Sequence, residues 1–172
     1  MFVRRLAATA LLTALTLTTS ACSMSGNVTS LQPYSPSDGQ QVDLETIKAR
    51  NFIYLVSASG NGYLVGSLVN SSAEARVVKI QYVNPNNQAK TDYFMEVPAG
   101  QKLDVGYNGN PAIELPVVET PGQTAMFYFL ESDTVNATMK VPVLDGTLSE
   151  YRAVLELLEQ QVQPELAPEP VS

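Results

Sequence analysis

Short apolar segments separated by turn residues fill the middle of the chain, from residue 43 to residue 145. Residues 75–83 and 134–143 alternate apolar and polar side chains with a period of two, which is typical of strands with one buried face. Residues 52–56 are apolar on both faces and predict a central strand, as do the aromatic residues of 124–130. Gly, Asn and Pro recur between such segments at intervals of about ten residues. The pattern predicts an all-β domain, an immunoglobulin-like antiparallel β-sandwich of seven or eight strands.

The hydrophobic period becomes helical after residue 145. Residues 147–150 have the Thr-x-x-Glu pattern of a capping box, and Pro164 ends the segment. Apolar side chains recur there every three or four positions, at Leu148, Tyr151, Leu155, Leu158 and Val162. We therefore predict an amphipathic C-terminal helix in residues 146–163, followed by a disordered acidic tail in residues 164–172.

The apolar stripe of this helix is the candidate partner-binding surface of the chain. A helix of about 15 residues is marginally stable alone in water, so its stripe needs an apolar surface to pack against. That surface belongs either to the sandwich of the same chain or to a partner protein. The sequence leaves both alternatives open.

The beginning of the chain has the three parts of an export signal. Arg4 and Arg5 form a short basic region, residues 6–17 are largely apolar, and Ser20 and Ala21 are small residues before Cys22. The apolar run is shorter than the roughly 20 residues that a membrane-spanning helix needs. We therefore predict that residues 1–21 are a signal peptide that is removed.

Cys22 is the only cysteine in the chain. We interpret it as the lipid-attachment cysteine of a bacterial lipoprotein, although Thr19 occupies a position where Leu is usual; the alternative is a lone buried cysteine. Each buried acyl methylene contributes about 0.8 kcal/mol, so two or three chains would hold the protein on the extracytoplasmic side of the cell membrane. Residues 22–42, rich in Ser, Gly, Asn, Pro and Gln, predict a flexible tether with a span of roughly 25 Å.

Composition argues against several functions. The chain has 17 acidic and 10 basic side chains, so its net charge of −7 disfavours nucleic acid as a partner. It has no histidine, and acylation would occupy Cys22, which removes the usual ligands of zinc, copper and iron and the usual nucleophilic triads. Met95, Met126 and Met139 are sulfur donors, but we expect them to pack in the core. We predict a protein that is not an enzyme and has no catalytic residue, metal or cofactor.

Two polar features have weaker functional interpretations. Loops 84–92 and 104–110 are rich in Asn and Asp but lack the regular carboxylate spacing of a calcium loop. Glu131 and Asp133 are a carboxylate pair of the kind that glycosidases use, and an exposed turn is the simpler interpretation. We assign neither feature a function.

One hairpin carries a family resemblance. Residues 54–57 are followed by a Gly-rich turn and by residues 62–70, which end in Leu-Val-Gly-Ser-Leu-Val-Asn. This segment resembles the first hairpin of actinobacterial lipoproteins of the LpqE type, and the leader ending at Cys22 agrees with it. The resemblance implies an accessory lipoprotein of the respiratory supercomplex of cytochrome bcc and the terminal oxidase, with integral subunits of that complex as partners. It supplies no catalytic residues.

Two hypotheses of function follow. The first is a non-enzymatic, membrane-anchored accessory lipoprotein that interacts with a respiratory membrane complex. The alternative is a lipoprotein of the cell envelope that carries a ligand or a metal, which requires a pocket of about 300 Å³ or more.

Overall fold

The computed structural model describes residues 37–162, so the leader, Cys22, most of the tether and the acidic tail lie outside the described residues. Within them, nine strands precede one helix. They are β1 (Gln40–Asp43), β2 (Ile47–Val56), β3 (Gly62–Asn70), β4 (Arg76–Val83), β5 (Lys90–Val97), β6 (Lys102–Val105), β7 (Ile113–Leu115), β8 (Thr124–Leu130), β9 (Asn136–Leu144) and α1 (Ser149–Val162). The predicted fold class, all-β with a C-terminal helix, is confirmed.

The strands form one curled sheet with the order β5-β4-β8-β9-β2-β3-β6, while β1 pairs with β2 and β7 pairs with β3. Two details differ from the prediction. There are nine strands where seven or eight were predicted, and β7 ends at Leu115 before Pro116, which has no N–H to donate. The pairing of β2 with β9 is parallel, over only Tyr54–Val143 and Leu55–Leu144. This short junction joins the two layers of the sandwich.

The main core lies between the two layers. Phe52 of β2 meets Phe129 of β8 edge to face, with ring centroids 5.0 Å apart. Val78, Ile80 and Tyr82 are the inward side chains of β4, and all three are fully buried. The alternation in residues 75–83 therefore identified the buried face correctly.

Helix α1 covers the outer face of β2 and β3 as a third layer. A second apolar cluster fills this interface; its buried members are Ile53, Leu55, Tyr63, Val65, Tyr151, Leu155 and Leu158. β2 is apolar on both faces because one face contacts the main core and the other contacts the helix. In the part of the chain that the structure describes, no helix is long and apolar enough to cross a membrane.

Candidate functional site

The predicted partner-binding stripe is mostly buried within its own domain. Tyr151, Leu155 and Leu158 are 9%, 5% and 2% exposed, against β2 and β3. Leu148 is 50% exposed. Val162 is the last residue of the helix, and its side chain is not among those that the structure describes. Of the two alternatives left open by the sequence, the structure favours packing on the same chain for the three buried residues. Cys22, the predicted lipidation site, lies outside the described residues.

Polar contacts fix the helix at both ends. The Tyr151 hydroxyl donates a hydrogen bond to Asp38 Oδ2 at 2.5 Å. The pKa of Tyr151 is raised, mainly by burial and to a smaller extent by this contact. Near the other end, the Ser59 hydroxyl donates to the Glu159 carboxylate. Hydrogen bonds from Ser59 and Ser57 lower the pKa of Glu159. These polar contacts, together with the apolar packing, fix the position of α1 on the sandwich.

The opposite outer face, on β5, β4 and β8, presents apolar side chains to solvent. Phe94 is 67% exposed, Val77 52% and Tyr128 37%, and Leu130 is half-buried. Strand register places Phe94 and Leu130 on either side of Lys79. We call Val77, Phe94, Tyr128 and Leu130 the Phe94 patch.

A depression of about 240 Å³ lies within the Phe94 patch, between Val77, Phe94 and Leu130. Lys79, Glu131, Ser132 and Asp133 supply the polar part of its lining, and Lys79 Nζ lies 3.7 Å from an oxygen of Asp92. Phe94 belongs to β5, which pairs with β4 alone in the described sheet. The patch therefore combines an exposed aromatic ring, a shallow depression and an open strand edge, which is a geometry suited to contact with another protein.

Three tyrosine hydroxyls hold the segment 113–119 across one end of the sandwich. Tyr54 donates to the Pro116 carbonyl at 2.9 Å, and Tyr93 donates to the Glu114 carbonyl at 2.9 Å. Tyr82 donates to the carboxylate of Glu119, at 3.1 Å from Oε1 and 3.0 Å from Oε2. Burial is the main cause that raises the pKa of all three tyrosines. Sequence reasoning did not identify Glu119, whose side chain is 7% exposed.

Two other carboxylates serve the fold. Glu131 accepts hydrogen bonds from the backbone of Thr46 at 2.9 Å and of Ile47 at 3.3 Å, and from the Thr46 hydroxyl. Burial opposes the ionisation of Glu131, but these bonds outweigh it and lower its pKa. Asp104 accepts from Ser67 Oγ and from Asn108 Nδ2, each at 2.7 Å. Both carboxylates therefore join segments that are distant in the sequence.

Met95, Met126 and Met139 do not converge on one point. Met139 is 3% exposed and belongs to the main core, against which Met95 also packs. Met126 is on the other face of β8, because its neighbour Phe127 is opposite Met139 in the β8–β9 register, so the expectation that Met126 packs in the core is wrong. Within residues 37–162, no group of three or more His, Cys, Asp or Glu is arranged to hold a metal ion.

Comparison with known proteins gives solved structures of low similarity. No family model matches the chain, and no curated protein matches it. An apo PmoF2 PCuAC domain has 17% identity and a TM-score of 0.47, covering 63% of this chain and 98% of that one. The copper-bound PCuAC domain from PmoF2 has 17% identity and a TM-score of 0.46, covering 62% and 98%. A β-glucosidase from Listeria innocua has 14% identity and a TM-score of 0.37, covering 67% of this chain and 18% of that one.

These scores are too low to carry a conclusion about binding or activity. The resemblance to LpqE-type lipoproteins has no support from the family models or the curated proteins, and it stays a prediction.

Proposed function

We propose that this protein is a non-enzymatic accessory lipoprotein, anchored through Cys22 on the outer face of the cytoplasmic membrane. Its Phe94 patch would dock on integral subunits of a respiratory complex, for which the LpqE-type resemblance suggests the cytochrome bcc–oxidase supercomplex. The observation that supports docking best is the exposure of Phe94, at 67%, beside Val77, at 52%. Large apolar side chains grouped on a polar-rimmed surface are typical of interaction sites.

The tether determines which partners are within reach. The flexible tether predicted for residues 22–42 would span roughly 25 Å and would keep the sandwich close to the membrane surface. A partner embedded in the same membrane would meet the patch at a high effective concentration. Burial of one Phe or Val side chain contributes about 1.5–3 kcal/mol, so a small patch is sufficient once both proteins share a membrane.

Co-purification from the native membrane tests this proposal. The tagged full-length protein would be isolated in mild detergent, as wild type, as the double variant Phe94→Ser/Val77→Ser, and as Leu157→Ser. Leu157 is 60% exposed on α1, away from the patch, and is the matched control. We expect the wild type and Leu157→Ser to retain cytochrome and oxidase subunits. The double variant should reduce the yield of these co-purified subunits at least about tenfold, because two apolar contacts are removed.

Two results would contradict the proposal. One is recovery of the wild-type protein without any cytochrome or oxidase subunit. The other is equal recovery of these subunits with the double variant and with Leu157→Ser. Mass spectrometry of the mature protein examines the anchor separately, since an unmodified sulfur at Cys22 would remove the basis for membrane attachment while leaving the patch intact.

A further inference from the structure

Glu119 is a buried carboxylate with little internal compensation. It is 7% exposed, and the Tyr82 hydroxyl is the donor that contacts its two oxygens. The ion pairs of the described residues join other side chains and leave Glu119 without a cationic partner. A carboxylate offers about four lone-pair sites, and one hydroxyl hydrogen satisfies one of them.

Burial of a carboxylate is costly unless the charge is paired and its remaining lone pairs are satisfied. Tyr82 cannot supply this, because its single hydrogen is shared between Oε1 and Oε2. The aromatic ring of Tyr82 packs on Phe127, with centroids 5.4 Å apart, and its side chain is fully buried. The carboxylate is therefore held in place by a rigid support while most of its acceptor capacity is unused.

Glu119 lines a cleft of about 650 Å³ between the end of β4 and the beginning of β8. Asn86 and Gln123 contribute amide groups to its wall, and Val83 and Met126 contribute apolar surface. Gln123 Oε1 accepts a hydrogen bond from the backbone N–H of Thr120, the residue after Glu119, at 2.9 Å. This bond fixes the orientation of the Gln123 amide. The cleft thus offers one negative charge, the side-chain amides of Asn86 and Gln123, and an apolar wall that an alkyl chain can contact.

We propose that this cleft binds an alkylammonium group, whose N–H donors pair with Glu119 and whose alkyl chain contacts Met126 and Val83. An ammonium has three donors and no acceptor, which matches a carboxylate and neighbouring amide oxygens. A calcium ion needs six to eight oxygen ligands, far more than one carboxylate and two amides supply. The ammonium belongs either to a free amine or to a lysine side chain of a protein. This site is separate from the Phe94 patch and does not depend on the docking function.

Methyl NMR on the full-length protein in detergent micelles tests the proposal. With methyl-labelled methionine, the Met126 signal reports on the cleft, and the signals of Met95 and Met139 are internal controls. The probes are n-butylammonium chloride and, as a neutral match, n-butanol. We expect a saturable shift of the Met126 signal with the ammonium, no saturable shift with the alcohol, and unchanged signals from Met95 and Met139.

Two isosteric variants separate the specific carboxylate from general surface charge. Glu119→Gln retains an acceptor for Tyr82 and should weaken n-butylammonium binding at least tenfold. Glu96→Gln removes an exposed carboxylate at the far end of the β4–β5 pair and should leave the affinity unchanged. Equal affinities in the two variants, or equal shifts with n-butanol, would overturn the proposal, as would saturation of the Met126 shift by Ca²⁺ but not by the ammonium.

A third variant covers the case in which Glu119→Gln does not fold. Asn86→Lys leaves the Glu119–Tyr82 contact in place and adds a competing ammonium to the wall of the cleft, so n-butylammonium should bind at least threefold more weakly. Unchanged affinity in this variant would refute the site. A capped Gly-Lys-Gly peptide and its acetyl-lysine form then identify the source. Binding of the first peptide alone supports a protein lysine, and binding of n-butylammonium with neither peptide supports a free amine.

Discussion

Truncation of Leu158 to alanine is the sharpest test of how the C-terminal helix packs. Leu158 is 2% exposed and belongs to the second apolar cluster, between α1 and the outer face of β2 and β3. Loss of three buried carbon atoms at about 0.8 kcal/mol each gives about 2.4 kcal/mol. The cavity adds to this, so we expect Leu158→Ala to lower the free energy of unfolding by about 2.5–4 kcal/mol.

Leu157 is the matched control, because it is also a leucine, directly precedes Leu158 in the same helix and is 60% exposed. Leu157→Ala should change the free energy of unfolding by no more than about 0.5 kcal/mol. Urea unfolding followed by far-ultraviolet circular dichroism measures both values.

Hydrogen exchange adds the location of the effect. If α1 detaches as a unit in Leu158→Ala, protection should fall in the helix amides while the amides of β4 and β8 keep theirs. Losses of stability that agree within about 0.5 kcal/mol for the two variants would refute packing of the stripe on its own domain. Unprotected helix amides in the wild type would lead to the same conclusion, and the stripe would then be available to a partner.

Two further substitutions test details of the fold. Gly106 has φ of +77°, and a Cβ there would collide with the side chain of Val65, whereas Gly109 has φ of +81° in open space. Gly106→Ala should therefore cost at least 1–2 kcal/mol more than Gly109→Ala, which costs about 1 kcal/mol through backbone strain alone; equal unfolding midpoints would contradict this. Glu131→Gln should cost about 1 kcal/mol at pH 7, because Glu131 accepts hydrogen bonds as a carboxylate. Since its folded pKa is lowered, this stabilisation is present above the ordinary pKa of about 4.3 and is lost as pH falls through the folded value. A wild-type advantage that does not decrease as pH falls below about 4 would refute the assignment.

The β2 strand illustrates which parts of the fold the sequence predicted. The sequence predicted a strand in the apolar run 52–56, whereas β2 begins at Ile47 and includes the mostly polar residues 48–51. The structure continues β2 through this stretch with a register shift between Arg50 and Ile53. Asn51 takes a positive φ of 52°, and its side chain accepts a hydrogen bond from the Gly39 backbone. Bulges of this kind depend on contacts with distant residues, so alternation along one segment does not reveal them.

The same limit applies to the candidate cleft. Tyr82 was correctly placed on the buried face of its strand, and Glu119 lies in an irregular segment with no periodicity of its own. Their contact joins positions 37 residues apart. It forms because β8 pairs with β4, which places the segment before β8, including Glu119, next to Tyr82. A local pattern identifies which face of a strand is buried, but it does not show which loop returns to cover that face.

The two outer faces of the sandwich differ in a way that connects the fold to the proposed docking. Ile53 and Leu55 are outward on β2, and a strand with apolar side chains on both faces requires cover on both. The chain supplies that cover as α1, whose stripe is matched to this face. The face formed by β5, β4 and β8 exposes Phe94 and Val77, and among the described residues no helix packs on it. Since the described chain covers only one of these faces with its own amphipathic helix, we propose the Phe94 patch, on the uncovered face, as the surface that a partner would cover.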